Sequence, residues 1–175
     1  MIDNFQKEED PVEIICVISN KKDAFGLERA KKANIDSFFV DHNEFESREM
    51  FDEKLMQILE NYVPDLIVLA GFMRILSEVF IDKYMGKLIN IHPSLLPKYP
   101  GAHAHKDALA DGATVSGCTV HLVDEGVDSG MILAQSEVPV HPDDTESALQ
   151  ERIKKVEHLL YPEVLDRLSI GGYSV

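Results

Sequence analysis

The residues best suited to chemistry lie between Asn90 and Gly130 of a 175-residue chain. Asn90-Ile91-His92 ends an apolar, strand-like run, and side chains two apart in an extended chain share a face. An amide and an imidazole can therefore converge at the C-terminal end of a strand, where open α/β sheets place their ligands. Pro93, Pro97 and Pro100 stiffen the loop NIHPSLLPKYPG and remove donors that could otherwise build regular structure. The loop must turn sharply, so the Leu96–Pro97 bond is expected to be cis. A second polar stretch is Asp124-Glu125-Gly126-Val127-Asp128-Ser129-Gly130, whose glycines allow a sharp turn and close backbone approach to a ligand. The bland alternatives are a histidine that merely caps a strand and an Asx-rich surface turn.

Four of the seven histidines fall in or near this region: His92, His103, His105 and His121. His103-x-His105 with a carboxylate can bind zinc, but neither H-E-x-x-H nor C-x-x-C accompanies it, so no metal is expected. The acidic loop lacks the ligand spacing of an EF-hand. Ser94 follows His92 by two residues without a G-x-S-x-G elbow, which argues against a serine nucleophile.

The elements that must position these groups read as alternating strands and helices. Residues 12–19 (VEIICVIS), 37–40, 65–70 (DLIVLA) and 87–91 have the apolar character of strands covered on both faces. Helices are expected over 23–34, over 47–62, where Phe51, Leu55, Ile58, Leu59 and Tyr62 recur at helical spacing, and over 80–85. Residues 115–123 and 131–140 read as a strand pair joined by the acidic loop. A final helix is expected over 144–168, capped by Asp143 or Asp144, with Glu146 completing a capping box and Pro162 a kink. Such alternation marks an α/β fold with an open, mostly parallel sheet in one domain spanning 1–175.

Lys and Arg number 17 against 31 Asp and Glu, a net charge of −14 that repels phosphate backbones and anionic lipid. Nucleic acid and membranes are therefore not expected partners. No apolar run is long enough for a membrane span, and the acidic N-terminus lacks a signal design. Cys16 and Cys118 sit in strand-like stretches and read as buried thiols of a reduced, cytoplasmic compartment.

At these motifs the chain resembles a known family. NIHPSLLPKYPG followed by GCTVHLVDEGVDSG is similar to the folate-dependent formyltransferases and hydrolases, which share a catalytic Asn, His and Asp. Residues 17–24 (VISNKKDA), residues 69–76 (LAGFMRIL), Pro93 and His103-x-His105 point to the branch acting in purine biosynthesis. The resemblance runs from about residue 1 to residue 171. It implies a Rossmann-like formyltransferase sheet and transfer of formyl from 10-formyltetrahydrofolate to the amine of glycinamide ribonucleotide. Asn90, His92 and Asp128 carry over as catalytic. Met73, Arg74, Ile75 and Leu76, with Asp124, Glu125, Gly126 and Val127, match folate-binding segments. Arg48 matches the family's folate-site arginine, Glu157 lies where the last helix reaches the nucleotide, and His121 matches a supporting histidine. The implied partners are those two small molecules, with the chain a monomer or homodimer. A formyltetrahydrofolate hydrolase and a non-catalytic folate-binding remnant are the alternatives.

Chemistry agrees with that assignment. Amine attack on a formyl carbon builds an oxyanion, which Asn90 and protonated His92 can stabilise, while Asp128 orients His92 and helps a water move the excess proton. Met73, Ile75, Leu76 and Val123 can wall a pterin, and Arg48 or Arg74 can meet folate's anionic tail.

The resemblance also has a departure. The family opens with a central strand and a Gly-x-Gly-Ser-Asn loop whose N–H groups bind the substrate phosphate. Neither is present in the sequence, and residues 1–5 (MIDNF) match the latter part of the helix that follows. The expectation is a start assigned too late, with a real truncation as the alternative, and no transferase activity from these 175 residues alone.

Overall fold

The computed structural model describes residues 1–5, 7 and 9–171. They form two compact units, one of Met1–Asp65 with Arg74–Tyr84, the other of Leu66–Met73 with the chain from Met85 onward.

In the first unit, strand β1 (Cys16–Ser19), helix α1 (Phe25–Lys32) and strand β2 (Asp36–Phe39) make a parallel β-α-β turn, with Cys16 opposite Asp36 and Ser19 opposite Phe39. Helix α2 (Arg48–Tyr62) starts where Ser47 Oγ accepts the Met50 N–H, satisfying one orphan donor of the first turn. It buries Phe51, Leu55, Ile58 and Leu59, as their spacing requires. Asp52 lies among them, 1% exposed, and accepts a 2.6 Å hydrogen bond from the Ser77 N–H ahead of helix α3 (Glu78–Lys83).

The second unit holds strands β3 (Ile67–Leu69), β4 (Leu88–His92), β5 (Val115–Leu122) and β6 (Ile132–Pro139) in the order β3-β4-β5-β6. Helices α4 (Ala104–Ala110) and α5 (Glu146–Ser169) complete it. Leu88, Ile89 and Val120 from the sheet, with Leu149, Ile153 and Val164 from α5, are fully buried and form the core. The Tyr161 hydroxyl on α5 lies 3.0 Å from the carbonyls of both Leu69 and Ile89, tying the helix to two adjacent strands.

The α/β class is as expected, but the sheet is mixed rather than mostly parallel. The pairs β1–β2 and β3–β4 run parallel, whereas β4–β5 and β5–β6 run antiparallel. The loop between β5 and β6 is too short to carry a parallel crossover. Nor is there one sheet: among the described residues β1 and β2 pair only with each other.

The strands are also shorter than their apolar runs, Cys16–Ser19 against 12–19 and Ile67–Leu69 against 65–70. Helix α5 is capped by Thr145, whose Oγ1 accepts the Ala148 N–H, not by Asp143 or Asp144. Asp144 is otherwise engaged, gripping the Arg152 guanidinium at 2.6 and 2.7 Å and accepting the His141 N–H. Those donors hold its carboxyl well below the usual range. Residues 1–5, matched to a helix, form one short 3-10 turn at Ile2–Asn4. Of the two thiols Cys118 is buried and Cys16 only half-buried, and the Leu96–Pro97 bond is cis.

Candidate active site

The β4–β5 register assembles the centre. Asn90 stands opposite His121, and His92 opposite Thr119. Directly opposed residues of an antiparallel pair share a face, so four polar side chains two apart on each strand make one patch. Within it Asn90 Nδ2 lies 3.3 Å from His121 Nε2. The His121 Nδ1–H donates to the Leu122 carbonyl at 2.8 Å, which leaves Nε2 with the lone pair that receives the Asn90 amide. His121 therefore fixes which way the Asn90 amide faces, and one Nδ2 hydrogen remains for a ligand.

His92 is 4% exposed, and both its ring nitrogens face acceptors. Nε2 lies 2.8 Å from the Tyr99 carbonyl and Nδ1 lies 3.2 Å from Asp128 Oδ2. The ring is thus held between a carboxylate on one edge and a backbone carbonyl on the other.

Asp128 reaches His92 from the β5–β6 loop. Its Oδ2 also accepts the Gly101 N–H at 2.7 Å, and its Oδ1 lies 3.6 Å from His121 Nε2, beyond hydrogen-bond distance. The residue takes a left-handed backbone, φ 52°, a conformation that aspartate tolerates better than most side chains. The expected role of the glycines shifts accordingly. A Cβ at Gly130 would stand 1.8 Å from the Leu122 carbonyl, and one at Gly126 would stand 2.0 Å from Ser129 Oγ. Their close approach is to the protein itself, and it lets the loop fold back so that Asp128 arrives at His92. Asp124 closes the same loop, accepting from the Gly126 N–H and Ser129 Oγ. Glu125 and Val127 remain exposed.

The other expected site residues are more scattered. Glu157, on α5, is half-buried; burial pushes its carboxyl up, opposed by the Lys154 cation. It is close enough to Cys118 that its charge, after burial, helps push that thiol up to about 12. Met73 is exposed in the second unit. Arg48, Arg74, Ile75 and Leu76 belong to the first unit. There Arg48 is exposed beside Glu49, and Arg74 stacks 5.5 Å from the centre of the Phe51 ring. Ile75 is exposed, whereas Leu76 is buried at 6% and serves the core rather than an open wall.

Helix α4 and the groups at Tyr99 and Gly101 have no counterpart in the sequence reading. The latter two act through backbone atoms, which every residue owns and no motif distinguishes. Among the described residues no group of three His, Cys, Asp or Glu side chains is arranged to hold a metal ion. Among the described residues no helix is long and apolar enough to cross a membrane.

With this geometry in hand, known proteins place the chain. It is 47% identical over 156 residues to phosphoribosylglycinamide formyltransferase of Escherichia coli, covering 89% of this chain and 74% of that one. It is 52% identical over 159 residues to the trifunctional purine biosynthetic protein adenosine-3 of Drosophila melanogaster, covering 91% of this chain but 12% of that protein. The chain thus spans about an eighth of the insect relative. The crystal structure of glycinamide ribonucleotide transformylase 1 from Symbiobacterium toebii superposes with a TM-score of 0.95 at 40% identity, covering 99% of this chain and 82% of that one. A profile of the family described as formyl transferase matches residues 1–165, and the chain belongs to that family.

Proposed function

We propose that the protein transfers the formyl group of 10-formyltetrahydrofolate to the primary amine of glycinamide ribonucleotide, a cytoplasmic step of purine biosynthesis. The observation that carries this reading is the clasp on His92, Asp128 at Nδ1 and the Tyr99 carbonyl at Nε2, beside an Asn90 amide turned by His121.

In this reading the amine lone pair forms a bond to the formyl carbon and the carbonyl π pair moves to oxygen. The free Asn90 N–H donates to that oxyanion, a contribution of about 3–4 kcal/mol to the barrier. His92 donates through an Nδ1–H shared between Asp128 and the oxyanion, because Nε2 is committed to Tyr99. Asp128 stabilises the imidazolium and, through a water, takes the proton that the attacking nitrogen loses. Collapse of the tetrahedral centre breaks the bond to folate N10, which receives that proton. No covalent enzyme intermediate is needed. Met73, in the same unit as the patch, offers exposed apolar surface for the pterin.

A substrate panel tests the proposal. Purified protein given 10-formyltetrahydrofolate and glycinamide ribonucleotide is expected to yield formylated nucleotide and tetrahydrofolate. Free formate made without the nucleotide would instead establish a hydrolase. Binding of a folate analogue with neither product would establish a folate-binding remnant.

A further inference from the structure

One row of side chains crosses three strands: His92 on β4 stands opposite Thr119 on β5, and Thr119 stands opposite Gln135 on β6. The hydroxyl of Thr119, fully buried, donates to the Ser94 carbonyl at 2.6 Å and accepts the Leu96 N–H at 3.0 Å. Gln135 Nε2 donates to the same hydroxyl at 2.9 Å and to the Leu96 carbonyl at 2.8 Å. The Leu96 carbonyl can only accept, and Thr119 has spent its proton on Ser94, so both positions require a donor. The Gln135 amide nitrogen supplies both.

The clamped segment continues to His92. Ser94 Oγ lies 2.5 Å from the Lys98 carbonyl and 3.3 Å from the Tyr99 carbonyl, closing the turn from within. The Tyr99 carbonyl is the acceptor for His92 Nε2. The segment is seated without slack on the sheet, since a Cβ at Gly117 would meet Leu95 Cδ2 at 2.8 Å. Gln135 itself touches none of Asn90, His92 or Asp128 through any bond described above.

We infer that Gln135 is a positioning residue: by pinning Leu96 and Thr119 it holds the 94–99 turn so that the Tyr99 carbonyl keeps His92 Nε2 protonated and its Nδ1 aimed at Asp128. The inference rests on the proposed catalytic role of His92 for its effect on rate, but its structural half stands independently.

The test compares Gln135→Glu, which keeps size but sets a carboxylate against two acceptors, with Gln135→Lys, which keeps a donor. Two readouts are used: the His92 ring signals of protein labelled with ¹⁵N-histidine, and the kinetics of formyl transfer. Wild-type protein is expected to show a protected His92 Nε2–H. In Gln135→Glu that proton exchanges freely and kcat falls about tenfold, with both KM values within about twofold, while Gln135→Lys restores the signal and most of the rate. An unchanged Nε2–H in Gln135→Glu overturns the inference, whatever happens to the rate. A lost Nε2–H with an unchanged kcat supports the positioning of His92 and removes His92 from the reaction. A lost Nε2–H that Gln135→Lys fails to restore also overturns it, because size and sheet packing rather than the donor would then be responsible.

Discussion

The polar patch of the second unit and the 74–77 segment of the first are built by different means. In the patch, strand register puts Asn90 against His121 and His92 against Thr119, and each group is then held by at least one further bond. The segment from Arg74 to Ser77 hangs on far less. Asp52 holds the Ser77 N–H and the Phe51 ring holds the Arg74 guanidinium, while Ile75 stays exposed. In the proposed reading Asn90 and His92 act on a developing charge from a strand, and Asp128 joins them from a loop whose glycines fold it back. Misplacing such donors costs rate steeply, and strand register guards against it.

The sharpest way to break that contrast is Asp128→Asn. Asparagine also tolerates φ 52°, so the fold should survive while kcat falls by about 10²–10⁴-fold for loss of the carboxylate. Near-normal turnover with an unchanged melting curve would show that the patch does not perform the chemistry. Next in size is Asp52→Ala in the first unit. It strips the buried Ser77 N–H of its acceptor and is expected to cost about 1–3 kcal/mol, measured by urea unfolding. If the 74–77 segment binds folate, the KM for formylfolate rises with little change in kcat; a fall in kcat alone would erase the distinction between the two regions.

The smallest effect concerns Glu157, whose carboxyl burial pushes up. The unfolded chain ionises this group near its ordinary value of 4.5, the folded chain only at higher pH. Its favourable contribution is therefore complete below that ordinary value and is lost as pH rises through the folded one. Gln at 157 should thus raise the melting temperature relative to the native residue at pH 7.5 and leave the difference near zero at pH 4. An equal difference at both would mean the carboxyl is well solvated and under no strain toward a ligand.

Much of this arrangement was legible in the sequence, and the parts that were not share a physical reason. The helix over 47–62 and the strand pair enclosing the acidic loop declared themselves through periodicity, and they stand at Arg48–Tyr62 and at Val115–Leu122 with Ile132–Pro139. Asn90 and His92 announced a shared face by their spacing alone. Tyr99 and Gly101 contribute a carbonyl and an amide, so nothing about their side chains betrays them. The cap of α5 is ambiguous in the sequence because Asp143, Asp144 and Thr145 are all good caps, and it is the Arg152 guanidinium, about two turns into the helix, with the His141 N–H, that draws Asp144 away. The mixed sheet was misread because fully covered strands look alike whichever way their neighbours run. A negative total charge likewise gave no hint that Arg74 lies stacked on an aromatic ring.

The irregularity in the β5–β6 ladder has its own consequence. Val120 pairs with Ala134 but His121 with Ile132, so β6 carries one more residue than β5 across this step of the ladder. Such a step sharpens the local twist, so β6 can swing toward the loop that presents Asp128 while the row running through Thr119 and Gln135 keeps its phase.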